Sequence, residues 1–173
     1  MTHPMQSANK KFDIKRLALC GILCGAALTI FVIEAQIPLP LPLPGMKLGL
    51  SNIITLFALL YLSPRDAFLI LIARIILGTI FTGQPSTLLY SLSGGLVCLL
   101  AESLVLKILG KRFIVEISII GAMVHNAVQV LCAVLITKTT AVFWYLPPLL
   151  ITGAITGAFC GLCVYFIDKH KKS

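Results

Sequence analysis

The stretch IVEISIIGAMVHNAVQVLCAVLI, residues 114–136, decides the fold. Its 23 residues include one acid, close to the start, and no lysine or arginine. A helix needs about 20 mostly apolar residues to cross the hydrocarbon layer of a bilayer. This stretch is long enough. Its polar members His125, Asn126 and Gln129 fall at its middle and beyond, where lipid disfavours them unless other helices cover them. The reading is a spanning helix inside a bundle of helices.

Working outward, five more apolar stretches appear, at about 17–36, 48–62, 67–81, 86–106 and 149–166. The expected fold is therefore an all-α membrane protein, a bundle of six transmembrane helices. Composition agrees, with 58% hydrophobic residues, 12% charged residues and a mean hydropathy of +1.02. A soluble domain carries roughly 25% charged residues. A water-soluble globule and a disordered chain are both excluded. The second and third stretches are short, so they either extend into flanking polar residues or are partly re-entrant. Ser63-Pro64-Arg65-Asp66 joins them, and it reads as a helix start: Ser63 as N-cap, Pro64 at the first helical position, Asp66 at the positive helix end.

The basic residues set the orientation. With six spans and the N-terminus inside, Lys10, Lys11, Lys15, Arg16, Arg65, Lys107, Lys111, Arg112, Lys169, Lys171 and Lys172 share the inner side. Lys47 and Lys138 fall outside, and Arg74 lies within a helix. This strong inward bias places both termini in the cytoplasm. It also accounts for the net charge of +8 without nucleic acid as a partner, since no basic face is interleaved with aromatics. The run from Leu17 is long for a signal peptide and lacks a good cleavage site, so it reads as a retained first helix. The expected organisation is a cytoplasmic tail over 1–16, one transmembrane domain over 17–168, and a basic cytoplasmic tail over 169–173. Trp144 and Tyr145 read as an outer interface anchor.

Two sets of small residues mark faces where helices approach closely. Gly153, Gly157 and Gly161 recur every fourth residue, and Gly21 and Gly25 stand beside Cys20, Cys24, Ala26 and Ala27. Either face serves packing within the chain or docking of a partner membrane protein. The six cysteines lie in apolar segments and read as packing residues. Cys160 and Cys163 form a lone CxxC, which by itself does not predict a metal site.

Polar side chains within the bilayer are the candidates for function. Glu34, Lys47, Asn52, Gln84 and Gln129 fall in the outer half of the proposed topology, with His125 and Asn126 near the midplane and Arg74 mid-helix. Lys47, Ser51 and Thr55 are spaced to share one helix face, and His125 and Gln129 another. Together they predict a pocket open to the outside. Each has a structural alternative: Arg74 as ion-pair partner of Glu34 or Glu102, His125, Asn52 and Asn126 as interhelical hydrogen-bonding groups, and Glu102 as structural. No paired carboxylates, phosphate loop or nucleophile–histidine spacing is present. No catalytic residue, metal or cofactor is expected.

The runs Lys47-Leu48-Gly49-Leu50-Ser51-Asn52, Arg74-Ile75-Ile76-Leu77-Gly78 and His125-Asn126-Ala127-Val128-Gln129 resemble a small bacterial membrane family known both as Gx transporter and as heptaprenyl diphosphate synthase component I. The Pro-rich stretch 37–44 and Ser93-Gly94-Gly95 fit too. That family is in turn similar to the substrate-binding, or S, components of energy-coupling-factor transporters. The resemblance implies a multi-pass protein of the bacterial cytoplasmic membrane with an outward-facing pocket. It also implies a first helix whose small face, here Gly21 and Gly25, meets a transmembrane coupling subunit energised by cytoplasmic ATPases.

The leading expectation is a substrate-binding membrane subunit of a small-molecule uptake transporter. Lys47 and Arg74 would favour an anionic solute, with Asn52, His125, Asn126 and Gln129 orienting it. The alternative is a non-catalytic accessory membrane subunit in prenyl diphosphate or quinone metabolism. Prenyl diphosphate chemistry uses Asp-rich motifs that hold magnesium, and this chain has only Asp13, Asp66 and Asp168. A lateral apolar opening toward lipid would favour that alternative over an aqueous outer pocket. The third possibility is a purely structural subunit, whose polar groups would pair only with one another.

Overall fold

The computed structural model describes residues 14–37 and 46–172. Lys10, Lys11, most of the N-terminal tail and the Pro-rich stretch from Pro38 to Pro44 lie outside the described residues.

Among the described residues the chain is helical, with no strand. The six α-helices are α1 Ile14–Gln36, α2 Asn52–Tyr61, α3 Pro64–Thr82, α4 Pro85–Leu109, α5 Ile114–Thr137 and α6 Leu146–Lys172. Short 3-10 turns, Lys111–Phe113 and Thr140–Tyr145, lead into α5 and α6. Four segments are long and apolar enough to cross a membrane: Ile14–Gln36, Pro85–Leu109, Lys111–Thr137 and Thr140–His170. α3 has 19 residues, but Arg65, Asp66 and Arg74 interrupt its apolar character. α2 has only 10.

The start of α3 follows the sequence reading. Ser63 Oγ accepts from the Asp66 backbone N–H at 3.2 Å, and Pro64 opens the helix. The start of α2 does not. Gly49 has φ of +84° and breaks the run, so Lys47 precedes the helix instead of sharing a face with Ser51 and Thr55. At the far end, α6 continues through 169–172, so those basic residues extend a helix.

α2 is the central element and packs against all five other helices. Leu59 faces a core with Ala27, Ile70, Leu71, Ile75 and Leu99. Leu56 and Leu60 face a second core with Ile114, Ile117 and Val164. Around it, α6 packs on α5, α5 on α4, α4 on α3, and α3 on α1. The C-terminal end of α2 is fastened by polar contacts: Lys111 Nζ donates to the Leu60 carbonyl at 2.8 Å, and the Tyr61 hydroxyl donates to Asp168. Large apolar side chains cover the outside, including Ile22, Ile80, Leu100, Leu135 and Phe159. A surface of this kind is stable in lipid and unstable in water.

Gly153, Gly157 and Gly161 lie against α5. A Cβ at Gly157 would stand 2.7 Å from Ile119 Cα, and one at Gly161 would stand 2.7 Å from Val115 Cα. Backbones at such proximity gain dispersion contact and Cα–H···O interactions, which is why small residues line tight membrane helix seams. Gly21 and Gly25 differ: among the described residues, a Cβ at either would meet nothing within 4 Å.

Candidate functional site

Two candidate sites stand out: a closed polar centre and an open apolar groove.

The polar centre forms where the N-terminus of α2 meets α1, α3 and α5. Glu34, Lys47, Asn52, Arg74, His125, Asn126 and Gln129 are all buried. Arg74, on α3, donates from Nη1 to Ser51 Oγ and from Nη2 to Asn52 Oδ1. Asn52 Nδ2 points on to Cys98 Sγ at 3.8 Å. Glu34, near the end of α1, accepts from the Gly49 N–H at 2.6 Å. Lys47 Nζ donates to the Phe31 carbonyl at 3.1 Å and sits 3.2 Å from the Phe31 ring centroid. The Lys47 N–H donates to Gln129 Oε1 at 3.2 Å, and Gln129 Nε2 lies 2.6 Å from His125 Nε2. The two α5 residues therefore form one unit, as their four-residue spacing requires.

Glycines make the room. A Cβ at Gly49 would lie 2.9 Å from Asn52 Nδ2 and 3.1 Å from His125 Cδ2. A Cβ at Gly94 would lie 2.9 Å from His125 Nδ1, so Gly94 lets the imidazole in, while Gly95 makes room for Leu71 on α3.

The centre is packed, not open. The space among Phe31, Glu34, Lys47, Asn52, Arg74 and His125 is about 10 Å³. A second space of about 10 Å³ lies behind it, where Gly49 and Asn52 meet Glu102, Ser118, Thr156 and Cys160. Each is the size of roughly one water molecule, against the roughly 300–1,000 Å³ of a small-molecule pocket. The expectation of a pocket open to the outside is therefore corrected: the polar side chains converge, but onto each other. Even so, among the described residues Glu34 Oε2, Arg74 Nε and Glu102 Oε2 have no hydrogen-bond partner. The centre holds more polar atoms than its own bonds satisfy.

Two expected members lie elsewhere. Gln84 is the exposed residue before α4 and accepts from Thr87 Oγ1 at 3.4 Å, one turn along its own chain. Asn126 faces α6, where Nδ2 donates to the Leu149 carbonyl at 2.7 Å. It ties two helices, because the adjacent His125 takes the inward direction. Glu102, read from sequence as structural, is 2% exposed and lies against Gly121. Its position about one turn from the expected membrane edge, near Lys107, gives no sequence signal for that depth.

The roomy space is elsewhere. α1 and α3 are pinched together where the Phe31 ring lies against Gly78; a Cβ at Gly78 would be 2.3 Å from the ring. Toward their N-termini they stay packed, Ala27, Cys24 and Cys20 sharing a core with Ala67, Ile70 and Leu71, and a groove lies open beside that contact. There Arg16 Nε donates to Asp66 Oδ2 at 2.9 Å and Arg16 Nη2 to Ser63 Oγ at 2.9 Å, bridging the mouth. Between the pinch and the bridge lies a groove of about 570 Å³ floored by Cys20, Gly21, Cys24, Leu69, Ile70 and Ala73. A neighbouring hollow of about 440 Å³ is lined by Pro64, Arg65, Phe68 and Leu69, and so shares Leu69 with it. Among the described residues no group of three or more His, Cys, Asp or Glu side chains could hold a metal.

The family model described as heptaprenyl diphosphate synthase component I matches residues 23–167. The chain belongs to that family. The match covers α2 to α5 entirely and most of α1 and α6, so both the polar centre and most of the groove fall within it. No curated protein and no solved structure matches the chain. The matched family supports the synthase-component side of the resemblance and carries nothing for the energy-coupling-factor side.

Proposed function

We propose that this chain is a non-catalytic membrane subunit of a prenyl diphosphate synthase, crossing the bilayer six times with both ends in the cytoplasm. Its membership of the component I family carries this reading. A component implies another component, and the chemistry is assigned to that partner, because magnesium-dependent diphosphate chemistry needs clustered aspartates. Of the three here, Asp66 bonds Arg16 and Asp168 bonds Tyr61. The lateral apolar groove fits an accessory role at the lipid phase, and the shut polar centre fits a structural keystone.

Co-expression with a catalytic long-chain prenyl diphosphate synthase subunit from the same cell tests this. The expected result is that this chain alone makes no prenyl diphosphate. With the partner, synthase activity moves to the membrane fraction and rises. Unchanged location and unchanged activity would sink the reading.

One observation favours a second reading, a substrate-binding subunit of an uptake transporter working with a coupling subunit and ATPases. Glu34, Lys47, Arg74 and His125 are gathered deep in an apolar bundle, and intramembrane charges commonly mark a solute path. On that reading native mass spectrometry finds a retained small anion, lost when Arg74 is changed to Met. Finding only lipid adducts counts against it.

A further inference from the structure

We infer that the polar centre is a water-binding site with two seats, one water joining Glu34 Oε2 to Arg74 Nε and a second holding Glu102 Oε2 to α5 and α6. The inference concerns the folded centre itself and stands whichever partner the chain serves.

Unanswered polar atoms carry the first step. Among the described residues, Glu34 Oε2, Arg74 Nε and Glu102 Oε2 are buried without a hydrogen-bond partner. Neither carboxylate forms a direct ion pair, since the one such pair among the described residues is Arg16–Asp66. Charged groups in a low-dielectric interior are strongly unfavourable when nothing meets them. A buried polar atom without a protein partner therefore calls for a bound guest.

Space and position select the guest. Glu34 and Arg74 both line the front space, with Ser51 and Ser91 beside them. Glu102 lines the rear space with Ser118 and Thr156. Each space is about 10 Å³, room for about one water and for no larger solute. In front, a water accepts from the Arg74 Nε–H and donates to Glu34 Oε2, with a serine hydroxyl as third partner. At the rear, the Thr156 hydroxyl donates to the Gly153 carbonyl at 3.1 Å, which leaves its oxygen free to accept. A water there donates to Glu102 Oε2 and to Thr156 Oγ1 and accepts from Ser118. About three polar partners is the usual number for a buried water. Asn52 lines both spaces and accepts from Arg74, so the two waters belong to one network.

Charge selects water over a cation. The buried Glu34 and Glu102 are balanced by the buried Lys47 and Arg74. A neutral guest keeps that balance, whereas a sodium ion adds an uncompensated charge to a desolvated centre. The link from Glu34 to α3 and the link from Glu102 to α6 thus run through exchangeable molecules, unlike the glycine seams.

X-ray hydroxyl-radical labelling of the full chain, in phosphatidylcholine nanodiscs and heavy-oxygen water, tests the site. Radicals form in place from a bound water and oxidise the side chains beside it. His125 lines the front space and Cys160 the rear one. Both are expected to take up the heavy oxygen although both are buried. Tyr90, equally buried but in an apolar core, should take up none. Thr156→Val keeps the size of the side chain and removes the hydroxyl, and should abolish the labelling of Cys160 while leaving that of His125. Thr156→Ser restores the hydroxyl and should restore the labelling. Melting temperatures should be equal in sodium, potassium and choline chloride at one ionic strength.

An unlabelled His125 and Cys160 in the parent chain would show that the spaces are dry and overturn the inference. Cys160 labelling that survives Thr156→Val would overturn the rear seat. A melting temperature raised by sodium alone would put a cation where the water is assigned. If Thr156→Val fails to fold, the parent's contrast of His125 and Cys160 with Tyr90 decides the matter.

Discussion

The α5–α6 seam and the α1–α3 seam are both marked in the sequence by glycines four residues apart, and they are built in opposite ways. Along α6, Gly153, Gly157 and Gly161 all press on α5, with α5 atoms within 2.7–2.8 Å of where a Cβ would stand. Along α1, Gly21 and Gly25 press on nothing. The contact on that side comes instead from α3, where Gly78 receives the Phe31 ring. The spacing of small residues therefore marks a smooth strip on a helix. Whether a neighbour lies on the strip depends on what holds the two helices elsewhere along their length. α5 and α6 are tied along their length by glycine contact and by Asn126. α1 and α3 touch at Phe31–Gly78 and at Arg16–Asp66, and between these Ala27, Leu23 and Cys24 share a core with Ala67, Ile70 and Leu71, with the open groove beside that contact.

The contrast breaks most decisively at Arg74. This α3 residue fastens the polar centre from within, so Arg74→Ala strips Ser51 and Asn52 of their donor and leaves Glu34 buried without it. Removing one partner from a buried charged network costs about 3–5 kcal/mol. The expected result is collapse of thermal stability in detergent together with loosening of α1. A variant as stable as the parent would show that Arg74 does not hold the α1–α3 side.

A smaller effect is expected on the tight seam. Gly157→Leu forces a side chain into the α5 backbone at Ile119 and Ser118, and overpacking of this kind costs about 1–3 kcal/mol. Guanidinium-free thermal unfolding, followed by helical circular dichroism, reads it out. The smallest effect sharpens the comparison: Gly25→Leu adds a side chain to open space and should stay within about 0.5 kcal/mol. Equal losses for Gly157→Leu and Gly25→Leu would mean that the seams do not differ.

Much of the helical plan was legible in the sequence because lipid imposes length. α1, α4 and α5 begin and end within a few residues of the apolar runs, α6 begins so but continues to Lys172, and Ser63-Pro64 started α3 where cap chemistry required. Faces were harder to read. In water, a helix is apolar on one side, and the pattern tells which side is buried. Here Ile22, Leu100 and Leu135 face outward as readily as Phe31 and Ile75 face inward, so apolar spacing carries no direction. Polar residues did carry it, and His125 with Gln129 were paired on that ground. For Asn126 the interhelical alternative was the one realised, because a single residue's step along the helix turns the side chain from the inward face to the one toward α6. Lys47 was misplaced onto a helix because the positive φ of Gly49 has no signature in spacing. The groove was invisible, being an absence of contact.

α2 has one more consequence. Ten residues of helix rise about 15 Å, half of a hydrocarbon layer roughly 30 Å thick. A segment so short gains too little from lipid to hold a place there unaided, and its polar start, Ser51 and Asn52, opposes insertion. It must be carried in as the first arm of a hairpin with α3 and then gripped by helices that arrive later along the chain. During synthesis, the centre of this protein is the piece that waits, and α4, α5 and α6, made after it, complete the wall around it.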